Sequence, residues 1–256
     1  MNRLLTVAYG AASYVAFLAA FLYAIGFVGD VVVPRTVDHG VDARLAEAVV
    51  VNVLLLGLFA VQHSVMARPA FKRWWTRLVP KSIERSTYVL ISSLVLFLLF
   101  WQWRTMPTVI WDVSWRPGRI GLYALFWLGW VIVLTATFMI NHFDLFGLRQ
   151  VYLAWREKPY TDLEFRTTLL YQVVRHPIMV GFIIAFWATP TMTAGHLLFA
   201  VATTGYILIA LQLEEHDLTA ALGDRYRQYR SRVPMLVPGL RRHGDETLPT
   251  ATTRPA

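Results

Sequence analysis

The sequence predicts an all-α fold: a polytopic bundle of membrane helices with about five membrane-embedded units, the last a helical hairpin, followed by a cytoplasmic C-terminal helix. Three observations lead there. Of 256 residues, 56% are apolar and only 16% charged, with a mean hydropathy of +0.47, far too apolar for a soluble domain. Apolar runs recur at lengths near the roughly 20 residues that carry a helix across about 30 Å of hydrocarbon. Arginine and lysine gather in alternate loops, as in membrane proteins whose basic loops face the cytoplasm.

Taken in order, the first run is Leu4 to Gly29. At about 25 residues it exceeds the roughly 7–15 of a signal-peptide core and reads as a mature transmembrane helix. Leu45 to Met66, Thr87 to Trp103 and Ile120 to Ile140 supply three further spans. After them, Ile178 to Thr189 is only about twelve residues and Leu197 to Leu213 about seventeen, so a hairpin or broken span is expected there. The loop after the second span carries Arg68, Lys72, Arg73, Arg77, Lys81 and Arg85, whereas the loop after the first has only Arg35 and Arg44. The former is therefore expected in the cytoplasm together with the N-terminus. Arg149 to Arg175 returns to that side, and so do Arg225, Arg227, Arg230 and Arg232, which requires the Ile178 to Leu213 region to cross twice or to dip and return.

Two cytoplasmic pieces read as helical. Thr161-Asp162-Leu163-Glu164 after Pro159 has the pattern of a capping box, and Phe165, Leu169, Leu170, Val173 and Val174 then share one face of a helix lying on the membrane surface. Leu218, Leu222, Tyr226, Tyr229 and Val233 recur at helical spacing, and Pro234 ends that helix. Residues 1–240 are expected to form a single integral-membrane domain and 241–256 a disordered tail.

With no cysteine in the chain, disulfides, thiolate metal sites and a cysteine nucleophile are excluded. The net charge of +8 is accounted for by loops facing anionic lipid and needs no nucleic acid. Polar groups at membrane depth are costly unless paired or functional. Arg175-His176-Pro177 stands at the start of the short Ile178 segment, where proline in a first helical turn and an arginine reaching for lipid phosphate are both ordinary. Gly181 allows close approach of a ligand or a neighbouring backbone. Glu214-Glu215 offers carboxylates to ribose hydroxyls, a cation or Arg175 itself. His63, His142 and Asp144 fall at cytoplasmic span ends, where a histidine bonded to a carbonyl competes with an acid-base role. His196, in the hairpin turn on the far side, reads as structural. The Arg68 to Arg85 cluster reads as topology signal and lipid contact, with Trp74 and Trp75 as candidates to flank a substrate entrance.

Arg175-His176-Pro177-x-x-x-Gly181, Glu214-Glu215 and Leu222-Gly223-x-x-Tyr226-x-x-Tyr229-x-x-x-Val233-Pro234 together resemble the C-terminal region of the isoprenylcysteine carboxyl methyltransferase and phospholipid methyltransferase group. The resemblance implies S-adenosylmethionine as cofactor and carries cofactor binding onto Arg175, His176, Pro177, Gly181, Glu214, Glu215, Tyr226 and Tyr229. Met179 is a departure, since the carboxyl methyltransferases usually have tyrosine there, which weakens the case for an isoprenylcysteine acceptor. Gln62-His63-Ser64-Val65-Met66-Ala67-Arg68-Pro69 and Asn141-His142-Phe143-Asp144-Leu145-Phe146-Gly147-Leu148-Arg149-Gln150 are similar to NnrU-like proteins and especially the methanethiol S-methyltransferases. This implies methyl transfer to a small thiol, giving dimethyl sulfide and S-adenosylhomocysteine in a bacterial inner membrane. His142, Asp144 and His63 are then the candidate bases, and Asn141, Gln62 and Met179 the candidate acceptor contacts.

Such transfer is an in-line displacement, in which a protein positions the partners and deprotonates the nucleophile. Other readings stay open: a lipid or prenylcysteine carboxyl methyltransferase, a haem- or metal-holding respiratory accessory protein using the histidines, and a transporter, against which the unbroken first four spans argue. No metal site and no nucleic-acid partner are expected; membrane lipids are.

Overall fold

The computed structural model describes residues 2–239 apart from 162, 164 and 166. The chain runs α1 (Arg3–Gly29), α2 (Leu45–Ala67), α3 (Pro69–Trp75), α4 (Glu84–Gln102), β1 (Val109–Asp112), α5 (Arg116–Ile140), α6 (His142–Leu145), α7 (Leu148–Trp155), α8 (Leu170–Val173), α9 (Pro177–Trp187), β2 (Thr191–Thr193), α10 (Ala194–Leu222) and α11 (Asp224–Arg232). Among the described residues five helices, α1, α2, α4, α5 and α10, are long and apolar enough to cross a membrane. The protein is an all-α polytopic membrane bundle with one short two-stranded sheet added.

Local chemistry sets the helix starts. The Asn2 side chain accepts from Leu4 N at the head of α1, and Thr193 Oγ1 accepts from His196 N at the head of α10; each satisfies an amide that a helix start would otherwise leave unpaired. Prolines occupy the first turns of α3, α5 and α9, where the missing N–H costs nothing. In lipid there is little hydrophobic force between helices, so close packing of small residues does more of the work. The α5–α9 contact shows it: a Cβ on Gly129 would lie 2.6 Å from the Gly181 carbonyl oxygen, and one on Gly181 would lie 2.6 Å from that of Gly129. Elsewhere α1 lies against α4 and α7, α2 against α4 and α10, and α9 against α10. An aromatic cluster including Phe27, Phe100, Trp103, Phe126, Trp130, Phe186 and Phe199 fills the centre.

The α9–α10 hairpin is asymmetric. Eleven residues of α9 cover only about 16 Å at 1.5 Å per residue, and the rest of the passage is extended chain. Its polar backbone is satisfied by β1, which pairs antiparallel with β2, Asp112 opposite Thr191 and Val109 opposite Thr193. Around this end Asn52 both donates to Arg104 O at 2.8 Å and accepts from Arg104 N at 2.9 Å. Trp103 Nε1 donates to Val37 O at 3.0 Å, and Thr193 bonds Asp38. His196 sits here too, buried, with Nε2 2.9 Å from Phe186 O.

The structure departs from the sequence reading in four places. The second limb of the hairpin is no short helix: α10 spans 29 residues, because nothing after Leu213 breaks it until Gly223, which ends it at φ 58°. The C-terminal stripe is consequently split, Leu218 and Leu222 belonging to α10 and Tyr226 and Tyr229 to α11. The surface helix before Arg175 shrinks to α8, four residues. Asp162 and Glu164 of its capping box lie outside the described residues, while Thr161 offers its carbonyl and hydroxyl to Arg149 instead of starting a helix. The β1–β2 sheet was not expected at all. The 241–256 tail also lies outside the described residues.

Candidate active site

Arg175 and His176, just before α9, meet Glu215 two turns before the end of α10. Arg175 Nε donates to Glu215 Oε1 at 2.6 Å, His176 Nε2 lies 3.2 Å from the same oxygen, and Arg230 Nε is 3.7 Å from Oε2. The Arg175 and Glu215 side chains are only 8% and 6% exposed, a depth at which either charge alone would be strongly unfavourable. Arg175 Nη1 also donates to Arg230 O at 3.1 Å and Val233 O at 2.5 Å. The backbone closes the joint, Arg175 N donating to Pro234 O at 2.9 Å and His176 N to Met235 O at 3.2 Å. α9, α10 and the segment after α11 are thus fastened at one point. Glu214 differs: its side chain is 47% exposed, with His176 Nδ1 3.8 Å away, so its carboxylate is left available.

Three tyrosines surround this joint. Burial pushes the phenols of Tyr171, Tyr226 and Tyr229 up, Tyr229 to about 12, so at neutral pH all three are O–H donors. Tyr229 donates to Tyr171 O at 2.6 Å. Tyr226 is 1% exposed, yet its Oη has no partner among the described residues. A buried unmade hydrogen bond costs about 1–3 kcal/mol, so this hydroxyl stands out among the polar groups of the joint. Phe165 packs against both Tyr226 and Tyr229, ring centroids 6.0 and 5.3 Å away. Pro177 and Gly181 lie on α9 under this joint, Pro177 in its first turn and Gly181 facing Gly129, so the close approach that Gly181 permits is taken up by neighbouring backbone. Met179, half-buried, is one residue short of the first full turn of α9.

His142 and Asp144 belong to a different place, where α5 turns into α6. The His142 ring is engaged on both sides, Nε2 2.8 Å from Tyr14 Oη and Nδ1 2.9 Å from Thr137 Oγ1, and stacks on Phe138 at 4.2 Å between centroids. Burial holds its imidazole below the ordinary basicity of histidine. Asp144 receives Arg85 Nη1 at 2.6 Å and Arg149 Nη1 at 3.2 Å, with Tyr160 Oη donating at 3.2 Å to each oxygen. Asn141 caps the turn, its Oδ1 accepting from Asp144 N at 3.0 Å. This cluster ties α1, α4, α5 and α7 together and leaves neither the carboxylate nor the imidazole an unpaired acceptor.

His63 stands on α2 facing α4. Tyr88 Oη is 3.0 Å from Nδ1 and 2.9 Å from Nε2, placing the phenol against the edge between the two nitrogens, and Ser92 Oγ is 3.3 Å from Nδ1. Gln62 donates to Met66 Sδ at 3.1 Å and Ser92 Oγ at 3.3 Å, while its own Oε1 is buried without a partner among the described residues. One turn on, Arg68 pairs with Asp217 of α10 at 2.9 Å. Ser64 Oγ donates to Tyr206 Oη at 3.2 Å, so this end of α2 is tied to α10, the helix that carries Glu214 and Glu215. His63 and His142 share no bonded partner.

The family model for NnrU protein matches residues 51–233, the stretch that holds His63, His142, Asp144, Arg175, His176, Glu214 and Glu215. The chain belongs to the NnrU family. Curated relatives of this NnrU chain include a methanethiol S-methyltransferase of Mycobacterium tuberculosis, 72% identical over 243 residues, 95% of this chain and 100% of that protein. Another of that name, from Crocosphaera subtropica, is 55% identical over 93% of each chain. Mouse nurim is 30% identical over 69% of this chain and 70% of its own. No solved structure matches.

Within this NnrU chain, reasoning from sequence found Arg175, His176, Glu214 and Glu215 together but missed the groups that hold the candidate bases. Arg85, read only as a topology signal, neutralises Asp144. Tyr88 and Tyr206 lie inside apolar runs where tyrosine is unremarked; their facing of His63 and Ser64 across helices is visible only in three dimensions.

Proposed function

We propose that this protein is an integral-membrane S-adenosylmethionine-dependent methyltransferase that methylates a small thiol, methanethiol, to dimethyl sulfide, with its site facing the cytoplasm of a bacterial inner membrane. The observation that carries the reading is the joint of Arg175, His176 and Glu215, beside which the half-exposed Glu214 carboxylate has His176 Nδ1 only at 3.8 Å and the buried Tyr226 hydroxyl has no partner among the described residues. An exposed carboxylate beside an orphaned donor suits a nucleoside bearing hydroxyls and a carboxylate. The names of the curated relatives support thiol methylation, and the basic residues at this end support its cytoplasmic orientation.

When bound, S-adenosylmethionine supplies a sulfonium-bound methyl that a thiolate displaces in line, yielding the methylated sulfide and S-adenosylhomocysteine. The chain's residues do the remaining work. Glu214 accepts hydrogen bonds from ribose hydroxyls, and Tyr226 donates to an acceptor on the cofactor. Arg175, Glu215 and His176 keep α9 and α10 in register so that those two groups point at one place. His63 takes the thiol proton, because a thiol is mostly protonated at neutral pH and its thiolate is the nucleophile. His63 is favoured over His142 and Asp144 because its neighbours Ser64 and Arg68 bond Tyr206 and Asp217 of α10, the helix that carries Glu214, whereas the other two lie in a separate cluster held by Tyr14, Thr137, Arg85 and Arg149.

The test is direct. Detergent-purified protein is incubated with methyl-labelled S-adenosylmethionine and a panel of thiols, amines and carboxylates, with volatile products trapped. Label recovered in dimethyl sulfide is the expected outcome. Label confined to an amine or a carboxyl ester, or no transfer to any thiol, overturns the proposal.

A further inference from the structure

We infer that Asp144 is a positioning residue for the nucleoside site: through Tyr160 and Arg149 it anchors the stretch that presents Phe165, and so holds that ring against Tyr226 and Tyr229. This rests on the reading of the Arg175 joint as the cofactor site. Among the described residues, those from Lys158 to Leu169 form no helix or strand, so the course of this stretch is set by what its side chains and carbonyls meet.

The first meeting is with the turn after α5. Tyr160 Oη donates to both Asp144 oxygens at 3.2 Å. Arg149 Nη1 donates to Asp144 Oδ1 at 3.2 Å and to Thr161 O at 2.8 Å, and its Nη2 donates to Thr161 Oγ1 at 3.0 Å. The same guanidinium lies over the Tyr160 ring, 5.2 Å from its centroid, where a cation is attracted by the ring face. Asp144 is itself a fixed point, its side chain only 8% exposed and held from α4 by Arg85 Nη1 at 2.6 Å.

The second meeting is with α11. Arg225 Nη2 donates to Phe165 O at 2.8 Å, and its guanidinium lies 5.7 Å from the Phe165 ring centroid. That ring stands edge-on to Tyr226 at 73° and to Tyr229 at 72°. Thr161 and Phe165 are four residues apart, a reach of at most about 14 Å, so the first anchor limits where the ring can lie. A carboxylate outside the Arg175 joint thereby governs a wall beside Tyr226, whose buried hydroxyl has no partner among the described residues. A wall fixed in advance lowers the ordering cost of binding, so the contribution of Asp144 belongs in cofactor affinity and not in the chemical step.

The experiment is a double-mutant cycle on the full-length protein in detergent, reading S-adenosylmethionine affinity by calorimetry together with kcat and KM for the cofactor. Phe165→Ala is expected to weaken binding by about three- to tenfold, the scale of a lost aromatic contact. Asp144→Asn keeps the shape of the side chain and removes its charge; binding should weaken by about threefold or more, with KM raised and kcat nearly unchanged. The double variant should bind no more weakly than Phe165→Ala alone, because one residue acts through the other. Tyr160→Phe removes only the hydrogen bonds to Asp144, enters the same cycle with the same expectation, and serves if the Asp144→Asn protein does not fold. Losses that add in full overturn the inference, as does a fall in kcat with affinity intact, or full affinity in the folded Asp144→Asn and Tyr160→Phe proteins. If the wild-type protein binds no S-adenosylmethionine, the cofactor-site reading fails instead, so the two failures are distinguishable.

Discussion

The two adjacent glutamates are expected to fail in opposite ways when removed. Glu215→Ala deletes the partner of Arg175 at 2.6 Å and of His176 at 3.2 Å, leaving a guanidinium that is only 8% exposed. Breaking a buried pair from one side costs about 3–5 kcal/mol. At roughly 2–4 °C per kcal/mol for a chain of this size, the melting midpoint in detergent should fall by about 6–20 °C. Glu215→Gln retains an acceptor for Arg175 and should fall in between. Glu214→Ala removes a carboxylate that is 47% exposed and meets His176 Nδ1 only at 3.8 Å, so its effect on stability should stay within about 0.5 kcal/mol, the range of ordinary surface changes. Its effect should appear in S-adenosylmethionine affinity, where losing charge-assisted hydrogen bonds worth about 1.5–3 kcal/mol each weakens binding by about tenfold or more. The assays are thermal unfolding followed by tryptophan fluorescence and calorimetric titration of the cofactor. Equal midpoints for the two alanine variants would refute the division of labour, and so would full cofactor affinity in Glu214→Ala.

Three further outcomes follow from the same geometry. His63→Ala should lower turnover by about 10²–10⁴-fold at neutral pH, with the deficit narrowing as pH rises and the thiol ionises unaided; a deficit constant with pH would remove His63 as the base. Because burial holds the His142 imidazole below its unfolded value of about 6.5, acid protonates the unfolded chain first. The stability from this site is therefore complete above about pH 6.5 and falls as pH drops below it, and His142→Gln should flatten that part of a midpoint-versus-pH curve while turnover per folded molecule persists. Reporter fusions at Arg232 should report the cytoplasm, and a reporter active on the other side of the membrane would invert the proposed orientation.

The spans were legible because apolar run length is a direct consequence of bilayer thickness. Where polarity and helicity part company, the sequence misled: Glu214-Glu215-His216-Asp217 ends the apolar run but not α10, since those residues followed by Leu218, Ala220 and Ala221 hold a helix well enough to reach Gly223. The capping-box pattern at Thr161 lost to a tertiary alternative, because Arg149 takes both the Thr161 carbonyl and hydroxyl. At the candidate site, Arg175 and Glu215 stood out because charge is rare at membrane depth. Tyr88 and Tyr206 did not, since an aromatic residue in a span is commonplace and only the packing of α2 against α4 and α10 sets them against His63 and Ser64. Asp144 shows the converse: the sequence places a carboxylate near a histidine, and only the fold shows the two arginines paired with it.

The joint at Arg175 also imposes an order of assembly. Arg175 and Glu215 can pair as soon as α9 and α10 form a hairpin, but the carbonyls of Arg230, Val233 and Pro234 and that of Met235 leave the ribosome only after every span has been made. Until then the guanidinium has its carboxylate but not its backbone acceptors, and the Tyr226 hydroxyl has no wall to be buried in. The bundle therefore inserts first and completes the joint second, through a docking step made from the aqueous side. Protein interrupted between Leu222 and Arg230 should reach the membrane as a helical bundle with an unfinished joint, recognisable to quality-control proteases by the exposed rim of α10 rather than by any failure to insert.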